Sequence, residues 1–252
     1  MTPDQLVAAL RAAGCVFAEE EAGLLLAAPG PLDELLARRV VGEPLEQVLG
    51  WAAFDGLRIS VRPGVFVPRR RSQLLVRLAA EGLSAGAVAV DLCCGSGALG
   101  AALQRRVAGI DLHACDLDPV AVEVARANLP EARVYCGDLW SALPDDLRGR
   151  VEVIVANAPY VPSEAIALMP SEARDHEPRM ALDGGHDGLE VHRRIAAEAG
   201  DWLAPGGRLL IEVAAGQVGV ATALFNGRGL SPTVHTDDDL HATVLVGTVE
   251  RR

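Results

Sequence analysis

The sequence predicts an α/β fold, in which a doubly wound, mostly parallel sheet of seven strands ends in an antiparallel strand. The first observation is an alternation, from residue 86 onward, of apolar runs of strand length with segments long enough for a helix. The second is that the last two apolar runs follow each other without room for the crossover helix that parallel neighbours need. The expected strands are residues 87–92, 111–115, 133–136, 151–156, 208–213, 233–235 and 243–249.

Two smaller units precede this main domain. Residues 1–50 carry leucines and alanines at helical spacing, interrupted by glycine and proline, and are predicted to form a small helical domain. Residues 51–71 change to apolar residues separated by Asp-Gly and Pro-Gly pairs, which predicts a β-hairpin linker. The main domain then covers residues 72–252 and opens with a helix over residues 72–80.

One long segment, residues 157–188, departs from the alternation of strands and helices. It is rich in proline, glycine and aspartate and carries little periodicity, so a loop is expected there. Loops of this length in a compact domain are usually lids or binding loops. A surface excursion without a role is the alternative.

Composition narrows the class of function. The net charge of −11 disfavours wide contact with a phosphate backbone, because such contact relies on cations. All 23 basic residues are arginine, which excludes a lysine Schiff base, a lysine nucleophile and a P-loop lysine. The 5 cysteines form no Cys-x-x-Cys pair and the 6 histidines are scattered, so no metal site is expected. No targeting segment or membrane-spanning run is visible, so a cytoplasmic protein is expected.

A glycine-rich turn follows the first strand of the main domain. Gly95, Gly97 and Gly100 allow a tight turn and a close approach of the backbone to a ligand at the start of a helix. With Asp116 placed 116 − 95 = 21 residues after Gly95, the turn also fits a dinucleotide-binding fingerprint. Asp91 favours a different ligand, since a carboxylate just before the turn would repel a pyrophosphate but suits a sulfonium and an ammonium group.

Acidic residues recur at the ends of successive strands. Asp116 closes the second strand, and Asp138 follows the third at a similar interval, 138 − 116 = 22 residues. Because ligands of open α/β sheets bind beyond the carboxyl ends of the strands, Asp91, Asp116 and Asp138 are expected to line one crevice. Capping of helix N-termini is the alternative role for such acids.

These motifs resemble the cofactor motifs of class I S-adenosylmethionine-dependent methyltransferases, whose fold is Rossmann-like. The resemblance implies that S-adenosyl-L-methionine binds with its methionine part at the glycine-rich turn, and that S-adenosyl-L-homocysteine is the product. It also implies that Asp116 binds both ribose hydroxyls and that Asp138 accepts a hydrogen bond from the adenine amino group. The implied cofactor-binding set is Asp91, Cys93, Gly95, Gly97, Asp116, Leu117, Asp138, Leu139 and Asn157.

The fourth strand ends in Asn157-Ala158-Pro159-Tyr160, which resembles the Asn-Pro-Pro-Tyr signature of methyltransferases that act on planar nitrogens. An amide nitrogen is a poor nucleophile because its lone pair is delocalised into the carbonyl group. The resemblance implies that Asn157 Oδ1 and the Ala158 carbonyl oxygen accept hydrogen bonds from the two hydrogens of this nitrogen. These bonds would direct its lone pair at the methyl group. Pro159 and Tyr160 complete the expected catalytic set, with Tyr160 offering an aromatic face. An ordinary strand-to-loop turn is the alternative.

Over residues 42–249 the chain is similar to the protein glutamine methyltransferases that modify peptide chain release factors. The similarity includes Gly-Glu-Pro at the start of residues 42–50, Phe-Val-Pro-Arg at 66–69, Glu-Pro-Arg-Met-Ala-Leu at 177–182 and Asp-Gly-Leu at 187–189. Three positions depart from the family pattern. Ala158 replaces the first proline of the signature, Arg-Arg-Ser-Gln at 70–73 replaces Pro-acid-Thr-Glu, and Cys93 replaces a glycine.

The resemblance implies methylation of a glutamine side-chain amide in the Gly-Gly-Gln loop of a release factor, with the helical domain and the hairpin helping to hold that protein. One alternative is another amide or amino nitrogen, in a different protein, a natural product or a nucleobase. A second is a catalytically silent binding module, which the retention of Asp91, Asp116, Asp138 and Asn157 disfavours. A monomer with a protein partner is expected, without extended nucleic-acid binding and without membrane contact.

Overall fold

The computed structural model describes residues 1–250 and begins with four short helices. These are α1 (Pro3–Ala12), α2 (Ala18–Ala27), α3 (Leu32–Val40) and α4 (Leu45–Leu49). The first helix starts at a capping box, in which Thr2 and Gln5 each accept a hydrogen bond from the other's backbone amide. Leu6, Leu10 and Leu25 are buried in a small core that the four helices share. The apolar stripes of these helices therefore pack against one another.

A hairpin of two strands, β1 (Trp51–Phe54) and β2 (Leu57–Ser60), connects the helices to the rest of the chain. Its turn residues Asp55 and Gly56 have φ values of +48° and +73°, the left-handed conformation that two-residue hairpin turns require. The strand pairing ends at Ser60, whereas the apolar pattern of the sequence continues to residue 68. The pairing ends at Ser60 because its partner, Trp51, is the first residue of β1 and follows α4 after a single residue.

The main domain alternates strands and helices along the chain. Its strands are β3 (Val88–Leu92), β4 (Asp111–Asp116), β5 (Arg133–Cys136), β6 (Val151–Ala156), β7 (Leu203–Glu212), β8 (Leu230–Asp237) and β9 (Ala242–Val249). Its helices are α5 (Gln73–Ala80), α6 (Ala98–Arg106), α7 (Pro119–Asn128), α8 (Ser171–His176), α9 (Glu190–Trp202) and α10 (Val218–Asn226).

The strand order is β5-β4-β3-β6-β7-β9-β8, and β9 is antiparallel to both of its neighbours. The predicted sheet of seven strands with an antiparallel last strand is confirmed. The predicted bounds were too short for two strands, since β7 starts at Leu203 rather than at residue 208, and β8 spans Leu230–Asp237 rather than 233–235.

Strand side chains alternate between two apolar cores, one on each face of the sheet. Ala89 belongs to the core that α5, α6 and α7 cover, whereas Val88 and Val90 belong to the core that α9 and α10 cover. Trp202, at the end of α9, is fully buried in the second core. Because helices close both faces, a ligand reaches the sheet from the carboxyl ends of the parallel strands.

Residues 157–188 contain more regular structure than the sequence pattern indicated. The segment holds α8 and two short 3₁₀ helices, Ser163–Leu168 and Arg179–Ala181. Each of the three helices starts directly after a proline, at Pro162, Pro170 and Pro178. Proline fixes φ near the value that a helix needs at its start, and helices this short are too brief to produce a periodic pattern.

Two buried side chains hold this segment in place. Gln217 Nε2 donates to the backbone oxygens of Tyr160 (2.8 Å) and Asp187 (3.1 Å), near the two ends of the segment. Glu177 accepts hydrogen bonds from the Val67 backbone N–H (3.1 Å) and from Arg69 Nη2 (2.7 Å). The segment is therefore tied to the sheet on one side and to the linker after the hairpin on the other.

Candidate functional site

A cavity opens at the carboxyl ends of β3, β4, β5 and β6. Its empty volume is about 1080 Å³, including the part that is open to solvent. The stretch after the hairpin and the segment 157–188 form its outer walls. Its lining includes Phe66, Pro68, Ser72, Cys93, Gly95, Asp116, Leu117, Asp138, Leu139, Asn157, Pro159, Met180 and Arg194.

The glycine-rich turn forms the floor of the cavity, but its two predicted glycines differ in their surroundings. Gly95 lines the cavity, and a Cβ added there would meet no atom within 4 Å. Gly97 lies outside the lining, and its added Cβ would come within 2.8 Å of Leu129 Cδ1 and 3.3 Å of Ala125 Cα. Gly95 therefore leaves room for a ligand, whereas Gly97 lets the turn pack closely against α7.

Cys93 stands in this turn with a φ of +55°, a left-handed conformation that costs a residue with a side chain about 1–2 kcal/mol. Cys93 is one of the residues that line the cavity. Burial raises the pKa of the Cys93 thiol well above its usual range. The turn thus presents a neutral thiol to the cavity at the position where the resembling family has glycine.

Asp91 is fully buried and is not part of the cavity lining. Its Oδ2 accepts a hydrogen bond from the Gly100 N–H in the first turn of α6 (2.9 Å). Burial raises the pKa of Asp91 to about 7. The structure differs here from the expectation of a carboxylate on the crevice wall, because Asp91 lies under the turn and binds the helix N-terminus.

Asp116, at the end of β4, lines the cavity as expected. Its Oδ2 accepts from the Gly95 N–H (2.8 Å) and its Oδ1 accepts from the Asp118 N–H (2.9 Å). Burial raises the pKa of Asp116. These two bonds hold the carboxylate at the junction of the glycine-rich turn and the loop after β4, where the exposed Leu117 side chain adds an apolar surface.

Asp138 follows β5, the strand next to β4, and lines the same cavity as Asp116. Its Oδ2 lies 2.6 Å from Nη2 of Arg194, a cavity-lining residue of α9. Leu139 beside it is buried and has a φ of +48°. The three acids of successive strands are therefore not equivalent, since Asp116 and Asp138 reach the cavity and Asp91 does not.

Asn157 follows β6 directly and lines the cavity with Pro159. Its Nδ2 donates to Ser72 Oγ (3.2 Å), whereas no donor among residues 1–250 is bonded to its Oδ1. Ala158 is buried, and Tyr160 lies outside the lining, with its hydroxyl donating to Glu212 Oε1 (2.9 Å). Of the four predicted catalytic residues, Asn157 and Pro159 line the cavity.

Sequence reasoning missed several residues of the site. Ser72 directly precedes α5, and Arg194 lies in α9. Ser72 falls within Arg-Arg-Ser-Gln at 70–73, which the sequence marked only as a departure from the family pattern, whereas no motif marks Arg194. Glu212 is buried at the end of β7 beside Tyr160 and Ser72. Its signal was visible, since it is an acid at the end of an apolar strand, like Asp116.

Within residues 1–250 no group of His, Cys, Asp and Glu side chains is arranged to hold a metal ion. No helix in the same range has both the length and the apolar character to cross a membrane.

The chain is similar to known proteins both through a family profile and through individual relatives. The family profile "Methyltransferase small domain" matches residues 56–172. The chain is 39% identical over 198 residues to the release factor glutamine methyltransferase of Streptomyces coelicolor, a match that covers 76% of this chain and 70% of the relative. The release factor glutamine methyltransferases of Geobacter sulfurreducens, Gloeobacter violaceus and Mycolicibacterium smegmatis are 35–40% identical to the chain.

A relative with a different acceptor matches over a similar length. The 4-amino-L-phenylalanine/4-methylamino-L-phenylalanine methyltransferase of Streptomyces pristinaespiralis is 35% identical over 223 residues, covering 80% of this chain and 76% of the relative. Among solved structures, a methyltransferase from Pyrococcus furiosus superposes with a TM-score of 0.59 at 19% identity, covering 86% of this chain and 99% of that one. The structural match shows a shared fold.

Proposed function

The chain belongs to the family of release factor glutamine methyltransferases, and from that premise we propose that it methylates the side-chain amide nitrogen of a glutamine in a protein. The favoured substrate is the Gly-Gly-Gln loop of a peptide chain release factor, and S-adenosyl-L-methionine is the methyl donor. Because release factors act in translation, we also propose a cytoplasmic location.

The residues around the cavity fit this cofactor. The open space over Gly95 lets the backbone of the turn approach the methionine part of a ligand. Asp116 and Asp138, on adjacent strands, offer carboxylate oxygens to the ribose hydroxyls and to the adenine amino group. The apolar side chains of Leu117 and Leu139 stand beside these two acids. Binding of adenine at Asp138 would compete with the present ion pair to Arg194.

S-adenosyl-L-methionine, when bound, supplies an electrophilic methyl group on a sulfonium. Asn157 Oδ1 and the Ala158 carbonyl oxygen would accept hydrogen bonds from the two N–H groups of the glutamine amide. Transfer would form the N–CH₃ bond and break the S–CH₃ bond, leaving S-adenosyl-L-homocysteine, and the methylated nitrogen would release one of its hydrogens as a proton to water. Acceptors fixed in this way favour a pyramidal nitrogen and direct its lone pair, so orientation and preorganised electrostatics provide most of the rate enhancement. Asp91, buried under the turn, would act on the cofactor indirectly by holding the turn to α6.

The helical N-terminal unit and the hairpin are proposed to hold the protein substrate. Between α1 and α2, the adjacent apolar residues Val16 and Phe17 are 84% and 64% exposed, which leaves both side chains accessible to a protein partner. The stretch after the hairpin forms part of the cavity wall. A protein held by the hairpin would therefore lie near the opening of the cavity.

One observation carries the proposal: Asn157, at the end of β6, lies on the wall of the same cavity as Gly95 and Asp116, with Oδ1 unbonded among residues 1–250. The test is incubation of the protein with methyl-labelled cofactor and, in parallel, release factor, a Gly-Gly-Gln peptide, 4-amino-L-phenylalanine and an oligonucleotide. We expect mass spectrometry to place one methyl group on the glutamine of the release factor. Labelling of 4-amino-L-phenylalanine or of the oligonucleotide without labelling of release factor contradicts the proposed substrate.

A further inference from the structure

A buried carboxylate that the proposed reaction does not use stands behind the acceptor site. Glu212, at the end of β7, is 1% exposed. Its Oε1 accepts from Arg71 Nε (2.8 Å) and from the Tyr160 hydroxyl (2.9 Å), and its Oε2 accepts from the Ser72 hydroxyl (2.6 Å). Three donors from two parts of the chain, the adjacent Arg71 and Ser72 and the distant Tyr160, therefore converge on one carboxylate. This explains how the carboxylate is accommodated without contact to water.

The bond from Ser72 to Glu212 determines what Ser72 can do for its other neighbour. A serine hydroxyl has a single hydrogen to donate, and a carboxylate that is paired with an arginine can only accept. The hydrogen of Ser72 is thereby committed to Glu212. Towards Asn157, the Ser72 oxygen can act only as an acceptor, which agrees with the 3.2 Å bond from Asn157 Nδ2.

This constraint removes an ambiguity in the Asn157 side chain. The oxygen and the nitrogen of an asparagine amide have nearly the same shape, and a half-turn about χ2 exchanges them. In the exchanged orientation the NH₂ group of Asn157 would face the NH₂ group of the substrate, so two donors would oppose each other. Binding of Nδ2 by Ser72 leaves Oδ1, to which no donor among residues 1–250 is bonded, as the acceptor for the substrate NH₂ group.

We propose that Ser72 and Glu212 are positioning residues that set the orientation of the Asn157 amide, Glu212 by orienting the Ser72 hydroxyl and Ser72 by binding Asn157 Nδ2. The value of this orientation for catalysis rests on the proposed function, whereas the orientation itself is a property of the folded protein. Arg71 belongs to the same network as the charge partner of Glu212, and it stands where the resembling family has an acid.

The first test does not require turnover. The chain contains only three asparagines, Asn128, Asn157 and Asn226, so selective ¹⁵N-asparagine labelling resolves their side-chain amides by NMR. We compare the wild type with Ser72→Ala and with Ser72→Thr, which keeps the hydroxyl. In Ser72→Ala we expect the Asn157 NH₂ hydrogens to exchange with water about tenfold faster or more, since their bonded acceptor is gone. Ser72→Thr should retain the wild-type rate.

Asn128 is the internal control, because its Nδ2 donates to the backbone oxygens of Ser60 (2.9 Å) and Ser96 (2.8 Å), away from Ser72. Its exchange should be the same in all three proteins. An Asn157 exchange rate in Ser72→Ala equal to that of the wild type overturns the proposal. Equal acceleration at Asn128 and Asn157 also overturns it, since that result reports a general loosening of the fold.

The second test measures catalysis. In Ser72→Ala we expect kcat for release factor to fall about tenfold or more, as misorientation of a catalytic group does, with an unchanged KM for the cofactor. Ser72→Thr should restore kcat to within about threefold of the wild type. A Ser72→Ala enzyme with wild-type kcat overturns the positioning role. If no protein in the series methylates release factor while the NMR result is as expected, the proposed function fails and the orientation of Asn157 stands.

Discussion

The two glycines of the cofactor turn should respond to the same substitution in different ways. Both have positive φ, +53° at Gly95 and +77° at Gly97, so an alanine costs about 1–2 kcal/mol of backbone strain at either position. At Gly97 the new Cβ also lies 2.8 Å from Leu129 Cδ1, closer than real contacts allow, and 3.3 Å from Ala125 Cα, which is tight. Overpacking of this kind adds about 1–3 kcal/mol.

Gly97→Ala is therefore expected to destabilise the protein by roughly 3 kcal/mol. At about 2–4 °C per kcal/mol for a chain of this size, this lowers Tm by about 6–12 °C. Gly95→Ala meets no atom within 4 Å and should lower Tm by about 2–8 °C, through strain alone. Because its methyl group would occupy space in the cavity, Gly95→Ala should instead weaken cofactor binding about tenfold or more, by roughly 1.4 kcal/mol.

Thermal unfolding measures the change in Tm. Calorimetry with S-adenosyl-L-methionine, at a temperature where both variants are folded, measures the change in cofactor affinity. The matched pair separates the two roles because each variant is the control for the other. A Gly95→Ala protein with wild-type cofactor affinity would refute the assignment of Gly95 to the ligand. A Gly97→Ala protein as stable as Gly95→Ala would refute the packing role of Gly97.

Three further predictions concern the acceptor site and the buried acid. Asn157→Ala should lower kcat about 10²–10³-fold, the usual cost of losing one preorganised polar group, while the cofactor affinity stays nearly unchanged. Measuring kcat by kinetics and the cofactor Kd by calorimetry checks both expectations. A fully active variant would contradict the proposed catalytic role of Asn157. Ala158→Pro should retain activity within about threefold, since the carbonyl oxygen remains; loss of turnover in kinetic assays would mean that the loop is shaped differently from that of the family. Asp91→Asn should change the pH dependence of stability. In the folded protein the pKa of Asp91 is raised to about 7, above its unfolded value of about 4. The protonated Asp91 therefore contributes stability below pH ~4, and this contribution is lost as the pH rises through 7. The Tm of Asp91→Asn relative to that of the wild type should therefore increase between pH ~4 and 7, and a constant difference over that range contradicts it.

Much of the fold could be predicted because the relevant patterns are local. The buried strands of the main domain are short apolar runs, and the missing crossover before β9 follows from counting residues. Strand ends also indicated where Asp116, Asp138 and Asn157 would meet. The short helices between residues 157 and 188 escaped prediction because none is long enough to show a period, although the prolines before them were a usable signal.

The direction of the Asp91 side chain could have been inferred and was not. Side chains alternate along a strand, and Asp91 shares its face of β3 with Ala89, which belongs to the core under α6. Its carboxylate therefore points to the N-terminus of α6 rather than into the cavity.

The remaining features depend on distant pairs. Arg194 meets Asp138 across 56 residues, and Ser72 meets Glu212 across 140. No local pattern encodes such contacts, because they arise only when the sheet and its helices have assembled. The same is true of Gly97, whose motif position equals that of a ligand-binding glycine but whose neighbour is Leu129.

The central claim is that one cavity holds the methyl donor along the ends of β3, β4 and β5 and presents it to an amide at Asn157. A crystal structure of the protein with S-adenosyl-L-homocysteine tests this most directly. We expect the amino-acid part of the ligand over Gly95, the ribose hydroxyls on Asp116 and the adenine amino group on Asp138, with Asn157 Oδ1 facing the sulfur side of the cavity. A ligand bound elsewhere, or one that leaves Asp116 and Asn157 on opposite sides of a filled cavity without contact to it, would contradict the claim.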